Sequence, residues 1–154
     1  MKVVIVGGGS GGHITPTLAV GAELKLRLPG SHIDYILGKN DALADVVQGH
    51  AAVSAVHQIY SGKFRRYHGA GLKQLLDLPT VAKNLRDVVY IIIGTVQSFF
   101  LLRRLRPDVM LIKGGFVGVP VGLAAAALGI PYVTHDSDAL PGLANRIIAR
   151  WAVA

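Results

Sequence analysis

The sequence predicts an α/β protein built on a doubly wound parallel sheet. Short apolar runs alternate with longer helical segments along the 154 residues, which is the order that β-α units produce. The apolar runs are hydrophobic at nearly every position, as expected for strands that helices cover on both faces. The first run ends in a cluster of glycines, which lets a ligand approach the backbone closely. In such a sheet we expect the strand order 3-2-1-4-5, with the first and fourth strands adjacent.

The elements follow from apolar runs and from the residues that interrupt them. Strands are predicted where β-branched and other apolar residues cluster between turn residues. They are Lys2–Val6, Ile33–Leu37, Val53–Ile59, Val109–Ile112 and Pro131–Thr134. Helices are predicted where apolar residues recur at helical spacing before a Pro-Gly or Arg-Pro-Asp stop. They are Thr15–Leu28, a short helix capped by Asp41, a long helix over 72–105 broken near Pro79, Val119–Leu128 and Leu143–Ala152.

The composition excludes several classes of protein. Hydrophobic residues make up 51% of the chain and charged residues 16%, so the chain is too apolar to stay disordered. The absence of cysteine excludes a disulfide scaffold, a cysteine-ligated metal site and a thiol nucleophile. The length fits one domain, and no linker divides it.

The charge balance favours anionic partners. Lys and Arg number 16 against 9 Asp and Glu, which gives a formal charge of +7 and a pI near 10.0. Such a charge suits phosphorylated substrates, an anionic membrane surface or nucleic acid, and solubility alone is the alternative. The basic residues form no recognisable nucleic-acid-binding motif, so nucleic acid is not expected as a partner.

No secretory leader and no membrane-spanning helix is predicted. The apolar run in Met1–Val6 is too short for a signal sequence and ends in glycines. The uncharged stretch Val88–Leu102 falls short of the ~20 residues that a spanning helix needs. The stretch Gly114–Thr134 is long enough, but glycines and prolines divide it into short pieces.

A glycine-rich turn, Gly7–His13, separates the first strand from the first helix. Its backbone flexibility and the positive end of the helix suit a phosphate or diphosphate. Gly7, Gly9 and Gly12 formally match the G-x-G-x-x-G pattern of dinucleotide sites, which also need an acidic residue at the end of the second strand. Lys39 follows that strand instead, so a nicotinamide-dependent oxidoreductase is disfavoured but stays open.

Two more polar or glycine-rich loops are expected at the same edge of the sheet. Lys113–Pro120 follows the fourth strand, and His135–Gly142 follows the fifth. Ligands of open α/β sheets bind at the carboxyl ends of the strands, where the strand order reverses. We therefore expect the three loops to form one site. His13 is its candidate general base or hydrogen-bond donor, and the alternative is a polar residue at a helix start.

Metal-dependent and triad chemistry are disfavoured. His135, Asp136 and Asp138 are metal-ligand types, but they are local in sequence and no further ligand set is evident. No metal and no cofactor is therefore expected. Ser10 and His13 belong to the residue types of a nucleophilic triad, but Ser10 lacks the G-x-S-x-G elbow.

Five stretches, in order from end to end of the chain, carry a family resemblance. They are Gly8–His13 with Pro16 and Leu18-Ala19, Lys113–Val117 with Pro120, Leu123–Ala125, Leu128–Pro131 with His135, and Pro141–Arg146. Together they resemble the motifs of the MurG-type transferases of glycosyltransferase family 28. Each motif is weak alone, and jointly they are specific to this group.

The resemblance implies the N-terminal half of a GT-B glycosyltransferase, in which two Rossmann-like domains face a cleft. Residues 1–154 would form a single Rossmann-like acceptor-binding domain, with the donor-binding C-terminal domain absent from this chain. The implied reaction is inverting transfer of GlcNAc from UDP-GlcNAc to a polyprenyl-diphosphate-linked sugar, lipid I to lipid II, in peptidoglycan synthesis. A donor-binding domain or subunit is an implied partner. The alternative is a non-catalytic subunit that recruits a two-component transferase to the membrane.

The resemblance also implies the site residues. His13 corresponds to the family's histidine near the reaction centre and is the expected catalytic residue. The expected substrate-binding residues are Ser10, Gly11, Gly12, Gly114, Gly115, Phe116, Asp138 and Asn145. Phe116 stands where the family usually has tyrosine, and Asp138 stands where it usually has asparagine. Asp138 is the alternative base.

A polyprenyl acceptor implies a peripheral position on the cytoplasmic face of the cell membrane. The basic, aromatic loop Phe64–Tyr67 is the expected interfacial patch. Leu72, Leu75 and Leu76 beside Lys73 extend this patch. The alternative is a surface loop followed by a helix that faces the core.

Overall fold

A computed structural model describes residues 1–63, 78–137 and 140–154, and of residues 78–80 only the backbone. The predicted interfacial patch over 64–76 and the candidate base Asp138 lie outside the described residues.

Strands and helices alternate along the chain. The strands are β1 (Lys2–Val6), β2 (His32–Gly38), β3 (Ala55–Ile59), β4 (Val109–Ile112) and β5 (Tyr132–Thr134). The helices are α1 (Gly11–Arg27), α2 (Ala44–Gln48), α3 (Leu78–Leu105), α4 (Gly115–Leu128) and α5 (Leu143–Ile148), which a 3₁₀ turn at Ala149–Trp151 follows.

The five strands form one parallel sheet in the order β3-β2-β1-β4-β5. The predicted order 3-2-1-4-5 is therefore confirmed. At the end of β1, Val6 pairs with Ile36 of β2 on one side and with Ile112 of β4 on the other. This register aligns the carboxyl ends of the central strands, so the turns after β1 and β4 leave the sheet side by side.

Each face of the sheet has its own core, which explains why β1 is apolar at successive positions. Val4 and Val6 pack with α4 residues such as Val121, whereas Val3 and Ile5 pack on the opposite face in a cluster that includes residues of α1 and α2. All five residues are at most 4% exposed. Helices on both faces therefore bury both sides of the strand, as the sequence predicts.

Two helices begin one turn earlier than predicted, at Gly11 and Gly115 instead of Thr15 and Val119. The carbonyl of Ser10 accepts hydrogen bonds from the backbone N–H groups of His13 and Ile14, which starts α1 inside the glycine turn. Glycine has a low helix propensity, but the first turn lies beside the sheet edge, and tertiary position outweighs propensity there. The glycines thus form helix N-termini instead of free loops.

The smaller boundary differences have local causes. β3 begins at Ala55 and not at Val53, because the Val53 N–H bonds to the carbonyl of His50 in a turn. The last helix ends at Ile148 and continues as the 3₁₀ turn.

The segment after β3 packs directly on α3. A Cβ atom on Gly94 would collide with the carbonyl oxygen of Tyr60, and one on Gly62 would collide with the backbone of Asp87. Only glycine permits so close an approach of two backbones. This packing carries the chain from β3 across α3 and brings Lys63 to the edge of the sheet where the strands end.

The helix α3 is apolar on two faces. By length and composition alone, its portion Val81–Leu105 could cross a membrane, and 22% of its most apolar 18-residue window is buried. The sequence prediction rejects Val88–Leu102 as a membrane span because that uncharged stretch is too short. The stretch lies within this longer helix, so its length does not exclude a span. One face contributes Ser98 and Leu102 to the interior, both 0% exposed.

Candidate functional site

A cavity of about 310 Å³ opens at the carboxyl edge of the sheet. The three predicted loops all reach it: His13 follows β1, Gly115 and Phe116 follow β4, and Asp136 follows β5. Lys63 also lines the cavity, from the segment after β3. The cavity therefore collects residues that are far apart in sequence at the point where the strand order reverses.

Part of the cavity lining is apolar. It is formed by Ile91 of α3, Val119 of α4, and Leu143 and Ile147 of α5. A ligand that fits here must present both a polar group and a hydrocarbon group, because the two kinds of wall face the same space.

The glycine turn after β1 has one backbone donor already occupied. The N–H of Gly9, which has φ +81°, donates to Asp41 Oδ2 at 2.7 Å, and Asp41 Oδ1 accepts from the N–H of Leu43 at 3.0 Å. Gly11 and Gly12 are exposed in the first turn of α1, where a helix offers no acceptor for its N–H groups. These two amides are the donors that an anion can reach. Sequence reasoning missed the role of Asp41, because only the fold shows that it reaches back to Gly9.

The acidic residues near β2 do not complete a dinucleotide site. Asp34 is 4% exposed, and its Oδ1 lies 2.7 Å from His57 Nε2. Asp41 is bonded to the glycine turn itself. Neither carboxylate lies at the end of β2, where a dinucleotide site needs one, and both already have partners within the protein.

His13 and the second glycine loop lie together. Gly114 and Gly115 have φ angles of +88° and +70°. A Cβ atom on Gly115 would lie 3.7 Å from His13 Nε2, and one on Gly114 would lie 2.5 Å from Asn145 Oδ1. The ring of His13 is therefore on the same rim as this loop, as the predicted site requires. Its Nδ1 is buried and has no hydrogen-bond partner among the described residues.

Phe116 forms the wall between the glycine turn and the cavity. A Cβ atom on Gly9 would collide with its ring, and the ring also lies within contact distance of a Cβ position on Gly38. On its far side is a second cavity of about 300 Å³ lined by Lys39 and Asp41. A bulkier residue at Gly9 would thus displace Phe116 and change the shape of both cavities.

The loop after β5 is held by Asn145. This residue is 4% exposed, and its Nδ2 donates to the carbonyl of His135 at 3.1 Å and to Asp136 Oδ2 at 2.9 Å. The N–H of Gly142 donates to the same Asp136 oxygen at 2.8 Å. Asn145 therefore borders the cavity and also fixes the loop. Asp136, which the sequence prediction did not include among the substrate-binding residues, presents a carboxylate at the cavity wall.

The structure brings together four of the predicted site residues in the cavity wall, namely His13, Gly115, Phe116 and Asn145. Ser10, Gly11, Gly12 and Gly114 do not line it and lie one to three residues before His13 or Gly115 in the chain. Lys63 and Asp136 also line it, and sequence reasoning missed both. The signals that could have indicated them are the basic loop that contains Lys63 and the position of Asp136 just after the end of β5. Among residues 1–63, 78–137 and 140–154, no group of three metal-ligating side chains could hold an ion.

Tyr35 supports the glycine turn from below. Its hydroxyl lies 2.5 Å from Thr17 Oγ1, and a Cβ atom on Gly7 would lie 2.6 Å from the same hydroxyl. Burial raises the pKa of Tyr35 from 10.0 to about 12, and the nearby carboxylate of Asp41 adds to the rise, which the bond from Thr17 partly offsets. The neutral tyrosine is thus favoured in the folded chain.

Replacing Tyr35 with Phe is expected to reduce the fall in the free energy of unfolding that occurs as the pH rises from 10 to about 12. The folded pKa lies above the unfolded one, so the stabilisation is complete below pH 10 and is lost as the pH rises towards 12. The loss amounts to about 2–3 kcal/mol. Urea titrations between pH 9 and roughly pH 12 measure it. Both proteins contain Tyr132, whose pKa burial also raises, so the difference between their unfolding free energies at each pH removes its contribution. An equal dependence of the unfolding free energy on pH in the two proteins would contradict the assignment.

Residues 3–154 match the model of a protein family described as the glycosyltransferase family 28 N-terminal domain. Two relatives are named UDP-N-acetylglucosamine–N-acetylmuramyl-(pentapeptide) pyrophosphoryl-undecaprenol N-acetylglucosamine transferase. The one from Clostridium kluyveri is 40% identical over 146 residues, which cover 95% of this chain and 37% of the relative. The one from Treponema pallidum is 41% identical over 150 residues, which cover 97% and 35%.

The fold is also that of a solved structure, the crystal structure of MurG from Acinetobacter baumannii. The two superpose with a TM-score of 0.76 at 23% identity, over 99% of this chain and 40% of the other. The described chain therefore spans little more than a third of the length of the curated relatives it matches.

Proposed function

The chain belongs to glycosyltransferase family 28, and from this premise we propose that it is the acceptor-binding half of an inverting N-acetylglucosaminyltransferase. In this proposal GlcNAc passes from UDP-GlcNAc to a polyprenyl-diphosphate-linked sugar, lipid I to lipid II, in peptidoglycan synthesis. The names of the relatives supply both substrates. The proposal rests above all on the cavity, where a hydrocarbon wall and a polar rim with two helix N-termini adjoin.

The diphosphate of the acceptor is assigned to the start of α1. The free amides of Gly11 and Gly12 and the positive end of a helix Gly11–Arg27 stabilise an anion there. The N-terminus of α4, at Gly115, lies on the same rim and adds a second positive end. Ser10 and Gly114 flank these two helix starts and belong to the same anion-binding surface in the proposal.

The reacting sugar is assigned to the space between His13 and the loop after β5. In the reaction the acceptor hydroxyl attacks the anomeric carbon of UDP-GlcNAc, the carbon–oxygen bond to UDP breaks, and the hydroxyl loses its proton. His13 Nε2 faces this space and takes that proton in the proposal, with Asp138 as the alternative base. Phe116 and Asn145 shape the pocket around the sugar.

The donor is assigned to a part that lies outside residues 1–154. The matched segment covers 37% and 35% of the two relatives, so about two thirds of their length remains to hold UDP-GlcNAc. In the proposal residues 1–154 are one Rossmann-like domain, and a C-terminal donor-binding domain or a separate subunit completes the cleft.

An exposed apolar surface on α3 supports a peripheral position on the cytoplasmic face of the membrane. We call it the α3 stripe; it consists of Val81, Leu85, Val88, Val89, Ile92, Ile93, Val96 and Phe100, each 37–66% exposed. These residues recur at helical spacing on the face opposite the buried Asp87, Ser98 and Leu102. A contiguous apolar surface of this kind marks an interaction site.

The helix lies along the bilayer in this proposal and does not cross it. Its inner face packs into the domain core and includes Asp87, which is 2% exposed and pairs with the half-exposed Arg86. Crossing the membrane would place this carboxylate in lipid, which is costly. Lying in the interface buries the α3 stripe and keeps Arg103 and Arg104 near anionic headgroups.

Binding of farnesyl diphosphate, a short soluble polyprenyl diphosphate, tests the proposal. In Gly11→Val, a side chain enters the open space beside the free amides, so the affinity is expected to fall about tenfold through loss of charge-assisted hydrogen bonds. Gly30→Val is the matched control, because a Cβ atom at Gly30 also meets no atom within 4 Å and lies at the other end of α1. Calorimetric titration measures both.

The titration has outcomes that would contradict the proposal. Equal affinities in Gly11→Val and Gly30→Val would remove the diphosphate from the start of α1. A wild-type chain that binds NADH and not farnesyl diphosphate would favour the oxidoreductase alternative instead.

A further inference from the structure

A buried lysine lies behind the loop after β5, and the proposed reaction does not use it. Lys113 follows β4 directly and is 2% exposed. Its Nζ lies 2.8 Å from His135 Nδ1 and 2.5 Å from Ser137 Oγ. A charged group is costly to bury unless its donors are used, so these two bonds are the reason that the position tolerates a lysine.

The direction of these bonds determines the protonation of the histidine. An ammonium group has donors and no acceptor, so His135 Nδ1 and Ser137 Oγ must both accept. A ring whose Nδ1 accepts a hydrogen bond carries its proton on Nε2 when it is neutral. The Ser137 hydroxyl keeps its own proton free to donate to another group.

Lys113 and Asn145 hold the same segment from two sides. Asn145 Nδ2 donates to the His135 carbonyl at 3.1 Å and to Asp136 Oδ2 at 2.9 Å, while Lys113 holds the side chains of His135 and Ser137. The His135 N–H donates to the carbonyl of Ile112 at 3.1 Å. Asp136 lies between the two residues that Lys113 holds, and its carboxylate borders the cavity.

We propose that Lys113 is a positioning residue that holds His135 as its neutral Nε2–H tautomer and orients residues 135–137 so that Asp136 faces the cavity. The part of this inference that concerns an acceptor rests on the proposed function. The tautomer and the loop orientation do not depend on it, because the bonds that determine them lie within the chain.

Nitrogen NMR of the histidine rings tests the tautomer directly. The wild-type chain is expected to have His135 with its proton on Nε2 only. Lys113→Met removes the donors at nearly constant side-chain length, so we expect mixed tautomers and a displaced Asp136 amide resonance. Lys113→Gln retains an N–H donor without the charge and is expected to restore most of the wild-type tautomer signal.

Lys25→Met is the matched control. It removes a part-buried ammonium that bonds to the Ser31 carbonyl at 2.5 Å, near the other end of α1, and should leave the His135 signals unchanged. The proposal is overturned if the wild-type proton lies on Nδ1. It is also overturned if folded Lys113→Met leaves the His135 and Asp136 signals unaffected, or shifts them no more than Lys25→Met does. A chain with the expected tautomer and Lys113 dependence that binds no diphosphate would support this proposal and refute the proposed function alone.

Discussion

Replacing His13 with Ala is expected to lower turnover by about 10²- to 10⁴-fold, the usual contribution of a positioned acid or base. The measurement is GlcNAc transfer by this chain combined with a donor-binding domain, in cis or as a second subunit. The reason is geometric. The His13 ring lies beside Gly115 on the cavity rim, where a sugar hydroxyl would lose its proton. KM for the lipid acceptor should change less than kcat, because the proton transfer is needed only in the transition state.

A second histidine variant separates this role from a general loss of stability. His32 lies in β2 with 54% of its side chain exposed and is paired only loosely with Asp34, at 3.4 Å. His32→Ala should leave turnover within a factor of about two, because surface substitutions change little. Near-normal turnover in His13→Ala, with both variants folded, would remove His13 from the mechanism and leave Asp138 as the base to test.

Introducing two charges into the α3 stripe is expected to weaken binding to lipid vesicles strongly. Ile92 and Val96 are 59% and 52% exposed and lie one turn apart on its centre. Burying each side chain in lipid is worth about 1.5–3 kcal/mol, so the double variant Ile92→Glu, Val96→Glu should bind about a hundredfold more weakly. Repulsion from anionic headgroups adds to the loss. Sedimentation with phosphatidylglycerol vesicles measures the partition.

The control places the same charges on the other side of the sheet. Leu26 of α1 and Val46 of α2 are 77% and 56% exposed, and their helices pack on the opposite face from α3. Leu26→Glu, Val46→Glu should retain most vesicle binding. Equal losses in both double variants would mean that net charge, and not the α3 stripe, governs the interaction.

The sheet could be predicted because its determinants are local. A run such as Val3–Val6 must be covered on both faces, and glycine or proline interrupts each run where the chain turns. The convergence of three loops on one edge follows from the parallel order alone. His13, Gly115, Phe116 and Asn145 were predictable for that reason, together with the family resemblance.

Other features depend on partners distant in sequence. The glycines at 11 and 115 begin helices because of where the sheet edge places them, and local propensity argues against it. Asp41 reaches Gly9 across 32 residues, and Lys113 reaches Ser137 across 24. The α3 stripe was hidden for a related reason: an apolar residue looks the same in sequence on a buried face as on an exposed one.

By itself, then, the chain's sequence determined an apolar parallel sheet, its strand order and the edge that carries the chemistry, since burial on both faces and short turns leave few other arrangements. The tertiary structure alone decided which polar atoms meet at that edge and which apolar face of α3 stays open. Both depend on contacts between residues far apart in the chain, and the free energy of such contacts is gained only when the layers have packed.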